Sequence, residues 1–327
     1  MKTPLCQMLG MDVPVFQAAI GGISCPALAA AVSNAGGMGA VAMTGWGAQG
    51  TRQRIARTRQ MTDRGFVANL LLSYDIDAEL NAILEDPPAI VSFFWGDVAR
   101  YVPRVRAAGA RVMANVGSID EAKRAAGAGA DIIVAQGWEA GGHVRGTTAT
   151  LALVPQVVDA VGDLPVVAAG GIADGRGLAA VLCLGAQAAW IGTRFLSAHE
   201  ADIHPHYRDR ILAAGPADTH YSKLYDGTWP DAPGRVLRNR TIETWEAAGR
   251  PSGDARAGAG QTIGTTPEGH AFSTYDAIAM RAGMQGDIEA GSLWAGQGVG
   301  LVRRTEPAAD IVRSIADEAA TALAMTG

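Results

Sequence analysis

Cysteine is scarce in this chain of 327 residues, which contains only Cys6, Cys25 and Cys183, all far apart. An odd number at such spacing argues against a disulfide framework and a cysteine-rich metal site, and it predicts a reducing compartment, the cytoplasm. No apolar run approaches the roughly 18 residues of a membrane-spanning helix, so we expect no membrane span. The first residues lack a charged region followed by an apolar core, so we also expect no signal peptide.

An excess of positive charge is missing as well. The chain has 27 basic and 32 acidic residues, a net charge of −5, so we expect no nucleic-acid partner. Glycine is abundant instead, with 42 residues beside a hydrophobic fraction of 48%. This composition is typical of a compact, loop-rich α/β protein, and the length suits one large barrel with an appended subdomain, or two domains.

Eight apolar runs of strand length precede residue 195 and alternate with stretches of helical character. The runs cover residues 13–19, 38–44, 66–72, 89–95, 111–116, 131–136, 165–169 and 188–191. Alternation of strands and helices indicates a parallel sheet, and about eight such units close into a (β/α)₈ TIM barrel. Ser24, Ser118 and Asp174 stand where helix N-caps are expected.

The alternation ends after Arg194. Residues 201–294 contain more than half of the chain's Trp and Tyr residues and several Gly- and Pro-rich stretches. We interpret them as a small, mainly helical cap or insertion subdomain. Residues 307–325 then show apolar residues at helical spacing and predict the last barrel helix. The predicted domains are therefore a barrel of residues 1–200 and 295–327, and a subdomain of residues 201–294.

Two small-residue pairs, Gly170-Gly171 and Gly192-Thr193, follow the seventh and eighth runs. Barrels of this class bind phosphate at these loops, where glycine lets backbone N–H groups approach the ligand and Thr193 adds a hydroxyl. Ordinary strand-to-helix turns also use glycine, but two pairs after successive strands favour a phosphate-bearing cofactor. Neither pair resembles a P-loop or a Rossmann fingerprint.

A lone histidine, His143, follows the sixth run in a loop with Gly141, Gly142 and Gly146. Loops at that end of a barrel carry function, and imidazole near its free pKa can accept a proton at neutral pH. We predict that His143 is catalytic or contacts the substrate, although a histidine is more often structural. Glu139 in the same loop could orient the loop, face solvent or take part in the chemistry.

Amide and small side chains end other strands. Asn69 and Gln136 can donate and accept hydrogen bonds, as a flavin ring or ribityl chain requires; the alternative is a structural amide that ties loops together. Ala18 and Ala19 would let a flat ring lie against the backbone. Three other reactive side chains show no nucleophile or metal-ligand pattern, so we expect no metal site: Cys25, His204 and His206.

The chain resembles the nitronate monooxygenase family, also called 2-nitropropane dioxygenases, which are FMN-dependent (β/α)₈ barrels. The resemblance covers nearly the whole barrel and is most specific where Glu139-Ala-Gly-Gly-His143 is joined to Ala169-Gly-Gly-Ile172. FMN-dependent enoyl-acyl-carrier-protein reductases and NAD(P)H:quinone reductases share much of this pattern.

The resemblance implies FMN as the cofactor and the oxidation of alkyl nitronates or nitroalkanes by O₂ to a carbonyl compound and nitrite. It places the catalytic base at His143, which would take an α-proton when the neutral nitroalkane is the substrate. Together with the motifs above, it predicts these FMN-contacting residues: Ala18, Ala19, Asn69, Gln136, Gly141, Gly142, Gly170, Gly171, Trp190, Ile191, Gly192 and Thr193.

Two positions depart from the family pattern. The first strand usually ends in Ala-Pro-Met, whereas this chain has Ala18-Ala19-Ile20, and Trp190 replaces a glutamine or similar side chain. Two alternatives to nitronate oxidation stay open. One is an NAD(P)H-dependent FMN reductase of a quinone, enoyl or nitro compound, and the other is a barrel that binds FMN or a metabolite without catalysis. A homodimer is compatible with the sequence.

Overall fold

A closed barrel of eight parallel strands forms the centre of the computed structural model, which describes residues 2–325. Its strands are β1 (Val15–Gln17), β2 (Ala40–Ala42), β3 (Val67–Leu71), β4 (Ile90–Phe94), β5 (Arg111–Val116), β6 (Ile132–Gln136), β8 (Val166–Ala169) and β9 (Ala188–Ile191), with a two-residue strand β7 (Gly142–His143) after β6. The hydrogen-bonded order is β1-β9-β8-β6-β5-β4-β3-β2. A parallel bridge between Phe16 and Met38 closes the ring, so the predicted (β/α)₈ barrel is confirmed.

One short helix precedes β1, helices that cover the outside of the barrel follow most of the strands, and two further helices lie within residues 201–294. They are α1 (Pro4–Leu9), α2 (Pro26–Asn34), α3 (Gly47–Met61), α4 (Asp77–Glu85), α5 (Val102–Ala107), α6 (Ile119–Gly127), α7 (Thr150–Val161), α8 (Gly175–Cys183), α9 (Pro205–Ala213), α10 (Arg240–Ala247) and α11 (Ala308–Ala324). The last of these, α11, packs against α8 and α2, as predicted for the closing helix of the barrel.

Two of the three predicted N-caps are confirmed. The Ser118 side chain caps α6, and the Asp174 carboxylate accepts a hydrogen bond from the third residue of α8 at 3.1 Å. The third prediction is wrong, because Cys25 is the N-cap residue of α2. Ser24 instead turns its hydroxyl towards the loop after β1, where it accepts the backbone N–H of Ile20 at 2.8 Å.

The barrel buries two apolar layers, one inside the ring and one between the strands and the helices. Parallel strands that are covered on both faces need apolar residues at every position, and this is why they read as continuous apolar runs. Leu5 and Cys6 of α1 belong to the inner layer and pack with Met113 and Val134. The lower part of the barrel interior is therefore filled, and a ligand site is available at the carboxyl ends of the strands.

Segment 201–294 combines helices α9 and α10 with short strands that periodicity did not predict. These are β10 (Thr219–Ser222), β11 (Gly234–Leu237), β12 (Thr262–Thr265), β13 (Ala271–Ser273) and β14 (Gln285–Gly286). Strand β11 pairs with β10 and also with β7, which places Gly234 opposite His143. The segment is thus mixed rather than mainly helical, and one of its sheets includes a barrel loop. That residues 201–294 form a separate subdomain stays a prediction.

No helix within residues 2–325 is long and apolar enough to cross a membrane.

Candidate active site

A cavity of about 710 Å³ opens at the carboxyl ends of the barrel strands. Of the residues predicted to bind the cofactor or act in catalysis, those that line it are Ala18, Ala19, Asn69, Gln136, Gly141, Gly142, His143, Gly170, Gly171, Trp190, Gly192 and Thr193. Ile191 is the exception. Side chains alternate along β9, so Trp190 faces the barrel interior and packs on Phe16, while Ile191 faces the outer layer.

The loops after β8 and β9 form a cradle of small residues at one end of the cavity. Gly170 and Gly171 have φ angles of 106° and 72°, which favour glycine, and the added Cβ of an alanine at position 170 would lie 2.9 Å from the carbonyl of Gly137. The Thr193 hydroxyl accepts the backbone N–H of Gly296 at 3.0 Å, and its own hydrogen can be donated to a ligand. This arrangement suits an anionic group held by backbone and hydroxyl donors.

Residues 295–300 complete the cradle, a role that the sequence reasoning missed. A Cβ at Gly296 would lie 2.7 Å from the carbonyl oxygen of Glu139, and one at Gly298 would lie 2.9 Å from that of Gly171. The glycines therefore allow this segment to pack backbone against backbone with the two ligand loops. The available signal in the sequence is the cluster of Gly296, Gly298 and Gly300.

Glu139 orients its loop and does not line the cavity. Its carboxylate accepts hydrogen bonds from the backbone N–H and the hydroxyl of Thr150, at 2.8 and 3.0 Å, at the first residue of α7. The Thr150 hydroxyl also lies 3.0 Å from the carbonyl oxygen of Gly170. Of the three roles considered for Glu139, this geometry supports the structural one, because it fixes the His143 loop to the cradle.

Three indole rings surround the imidazole of His143. The ring centroids of Trp229 and Trp294 lie 4.0 and 4.7 Å away, and that of Trp95 lies 6.0 Å away. Trp95 itself has a φ of 68°, uncommon for a residue with a side chain. The backbone of His143 is held by β11 and by Gln136, whose amide donates to its carbonyl oxygen at 3.0 Å.

The His143 ring makes no hydrogen bond within residues 2–325. Its Nε2 atom is buried without a partner, whereas Nδ1 is not buried in this way. Burial lowers the pKa of His143 from 6.5 to about 3. The imidazole is therefore neutral at pH 7.

Two buried amide oxygens also lack a partner. Both Gln136 and Asn115 line the cavity, and the Oε1 atom of the first and the Oδ1 atom of the second accept no hydrogen bond within the described residues. Asn69 differs, since its amide donates to the Ser92 hydroxyl at 3.2 Å. Buried acceptors of this kind call for a ligand donor. Sequence reasoning missed Asn115, although it stands near the end of an apolar strand like the two predicted amides.

Comparison with known proteins decides the family. The sequence model described as nitronate monooxygenase matches residues 2–82 and 73–318. The chain belongs to the nitronate monooxygenase family. It is 36% identical to the nitronate monooxygenase of Pseudomonas aeruginosa, over 95% of this chain and 97% of that protein. The predicted family is therefore confirmed.

The chain is also similar to proteins that are not named nitronate monooxygenases. The chain is 32% identical to the (3aS,4S,5R,7aS)-5-hydroxy-7a-methyl-1-oxo-octahydro-1H-indene-4-carboxyl-CoA dehydrogenase of Rhodococcus jostii, over 98% of this chain and 96% of that protein. The solved structure of FabK from Thermotoga maritima superposes with a TM-score of 0.82 at 29% identity and covers 100% of this chain and 98% of that one. Like other nitronate monooxygenase family members, the chain is a flavin-type oxidoreductase.

The remaining candidate side chains lie outside the cavity of this nitronate monooxygenase family member. The Cys25 thiol donates to the carbonyl oxygen of Glu200 at 3.2 Å, His204 caps α9, and His206 lies 2.7 Å from Glu289. Within residues 2–325, no three His, Cys, Asp or Glu side chains form a group that could hold a metal ion. Cavity residues that sequence reasoning missed come mainly from the loops after β2 and β3, the end of β4 and segment 201–294: Trp46, Tyr74, Phe94, Trp229, Arg281 and Met284.

Proposed function

We propose that this protein oxidises alkyl nitronates, or the parent nitroalkanes, with O₂ to a carbonyl compound and nitrite, using FMN as the cofactor. The observation that carries the proposal is the position of His143. A neutral imidazole that makes no hydrogen bond within residues 2–325 lines the same cavity as an anion cradle of glycines. This combination supports a base beside a phosphate-bearing cofactor, as oxidation of a neutral nitroalkane requires.

The residues of the cavity fit FMN. Backbone N–H groups of Gly171 and Gly192 and the Thr193 hydroxyl would hold the 5′-phosphate at the cradle. The oxygens of Gln136 and Asn115, which accept no hydrogen bond within the described residues, would accept hydrogen bonds from the ring N–H and the ribityl hydroxyls of FMN. When bound, FMN supplies the redox chemistry between the nitronate and O₂. The cradle has no second nucleotide-binding motif beside it in the sequence, which favours FMN over FAD.

The protein's own contribution is a proton acceptor in a cavity lined by aromatic rings. A tautomer with its hydrogen on the buried Nε2 leaves the lone pair of Nδ1 open to the cavity, where it can take the α-proton of a neutral nitroalkane. The indoles of Trp229 and Trp294 shield part of the ring from water. An anionic nitronate has already lost this proton and needs no base.

Two assays test the proposal on the purified protein. Acid release and chromatography should identify the bound pigment as FMN; FAD, or no flavin after reconstitution, contradicts the cofactor assignment. Aerobic incubation with propyl-2-nitronate should then consume O₂ and yield nitrite and acetone. Anaerobic mixing with NADH or NADPH is the control. Rapid bleaching of the flavin, together with no nitronate turnover, would contradict the proposal and would indicate an NAD(P)H-dependent reductase.

A further inference from the structure

The indole of Trp229 lies closer to the His143 imidazole than the other described rings do, although Trp229 belongs to a loop of segment 201–294. Its ring centroid lies 4.0 Å from that of His143 with an interplanar angle of 39°, and only 6% of Trp229 is exposed. Trp294 makes a second contact with the imidazole at 4.7 Å and the same angle. The imidazole therefore lies against two indole rings at stacking distance.

Aromatic residues of the barrel hold Trp229 in turn. Its ring makes edge contacts with Tyr74 at 5.6 Å, Phe94 at 6.5 Å and Trp95 at 5.1 Å, all from loops or strand ends at the cavity. The Tyr74 hydroxyl also donates to the carbonyl oxygen of Thr228 at 3.0 Å. The position of Trp229 is thus fixed from the barrel side by rings and by a hydrogen bond to its neighbour.

A second attachment fixes the loop from the side of segment 201–294. Asp226 forms an ion pair with Arg256 at 2.7 Å, and its carbonyl oxygen accepts the backbone N–H of Trp229 at 3.2 Å. The Thr228 hydroxyl accepts the backbone N–H of Ala277 at 3.1 Å. A side chain held from both sides in this way can act as a rigid support for its neighbour.

A different device usually orients a catalytic histidine, namely a hydrogen bond from its second ring nitrogen to a carboxylate or a carbonyl group. In the described part of the chain, the His143 ring has no such bond. The ionisable groups on the elements around the ring are Tyr74, Asp75, Glu139, Arg145 and Arg235. None of them contributes to the lowered pKa of His143, for which burial is the cause.

We propose that Trp229 is the positioning residue for His143: its indole takes the place of the missing hydrogen-bond partner and holds the imidazole with Nε2 inside and Nδ1 towards the cavity. This inference rests on the proposed function only where it concerns the effect of Trp229 on turnover. The orientation of the ring and its neutral state follow from the contacts themselves, and they can be measured without any substrate.

The test uses Trp229→Leu, which removes the ring, and Trp229→Phe, which keeps a smaller ring. The matched control is Trp245→Leu, since Trp245 lies in the same segment, packs near His220 and does not line the cavity. All proteins are compared with FMN bound. We expect Trp229→Leu to lower kcat/KM for a neutral nitroalkane by about 10- to 100-fold through misplacement of the base. The anionic nitronate should be affected much less, and Trp229→Phe should stay near the parent.

NMR gives the readout that a purely structural role would not change. In the parent protein the His143 ring signal, assigned by its loss in His143→Asn, should not titrate between pH 5 and pH 8 and should show the Nε2–H tautomer. In Trp229→Leu it should titrate within this range, because water then reaches the ring. Titration of the His143 ring near pH 6.5 in the parent would overturn the inference. So would a folded Trp229→Leu protein in which both the titration of His143 and the ratio of kcat/KM for nitroalkane to kcat/KM for nitronate equal those of the parent. If Trp229→Leu does not fold, titration of the parent ring near pH 6.5 still overturns the inference, and the loss on the neutral nitroalkane is compared in Trp229→Phe.

Discussion

The neutral state of His143 makes the stability of the protein depend on pH, and His143→Asn should remove this dependence. Burial lowers the pKa of the folded protein's imidazole from 6.5 to about 3. As the pH falls through 6.5, the unfolded chain gains a proton that the folded protein does not bind. The folded state therefore loses stability between about pH 6.5 and pH 3, and keeps it at higher pH. At pH 5, which lies about 1.5 units below the pKa of the unfolded imidazole, the free energy of unfolding has fallen by about 2 kcal/mol.

Urea unfolding at pH 7 and pH 5 measures this effect, with equal flavin content in all samples. The free energy of unfolding of the parent should fall by about 2 kcal/mol more than that of His143→Asn over this interval. Burial also lowers the pKa of His204 and His220, but both are present in each protein, so their contributions cancel. His270→Asn, a change at an exposed hairpin position, is the matched control and should behave like the parent.

One result would refute this reasoning. If the parent and His143→Asn lose the same stability between pH 7 and pH 5, the imidazole of the folded protein is accessible to water or is charged. The aromatic enclosure described above would then not control its protonation.

Two further substitutions test the cradle and the loop beside it. Gly171→Asp should abolish FMN retention, because it places a carboxylate beside the phosphate, whereas Gly171→Ala carries the same strain at a φ of 72° without the charge and should keep most of the flavin. Full flavin occupancy in Gly171→Asp, measured by absorbance, would place the phosphate elsewhere. Glu139→Gln should lower the free energy of unfolding by about 1 kcal/mol through a weaker contact with the start of α7, with turnover nearly unchanged. A loss of turnover at normal flavin content would instead give Glu139 a chemical role.

Features that depend on neighbouring residues could be predicted from the sequence. The barrel strands are continuous apolar runs, and Gly170, Gly171, Gly192 and Thr193 follow them directly, so a local pattern contains both the strand and its ligand loop. The same rule that selects Asn69 and Gln136 also applies to Asn115 and would have found it. Strand alternation would likewise have separated Trp190, which faces the cavity, from Ile191, which does not.

Contacts between distant parts of the chain could not be predicted in this way. Trp229 and Trp294 reach His143 because β11 pairs with the two-residue strand β7, and no periodicity marks so short a partner. The aromatic residues of segment 201–294 were visible in the sequence, but their common target was not. Backbone packing of Gly296 and Gly298 against the ligand loops is a similar long-range contact, which single glycines do not specify.

Proton abstraction by His143 is the central claim, and one comparison tests it most directly. The value of kcat/KM is measured for the neutral and the anionic form of one nitroalkane, in the parent and in His143→Asn at equal FMN occupancy. A positioned base typically contributes about 10²- to 10⁴-fold, so His143→Asn should lose this factor on the neutral nitroalkane and far less on the nitronate. Equal losses on both forms would contradict the claim and would show that His143 positions the substrate or influences the flavin instead.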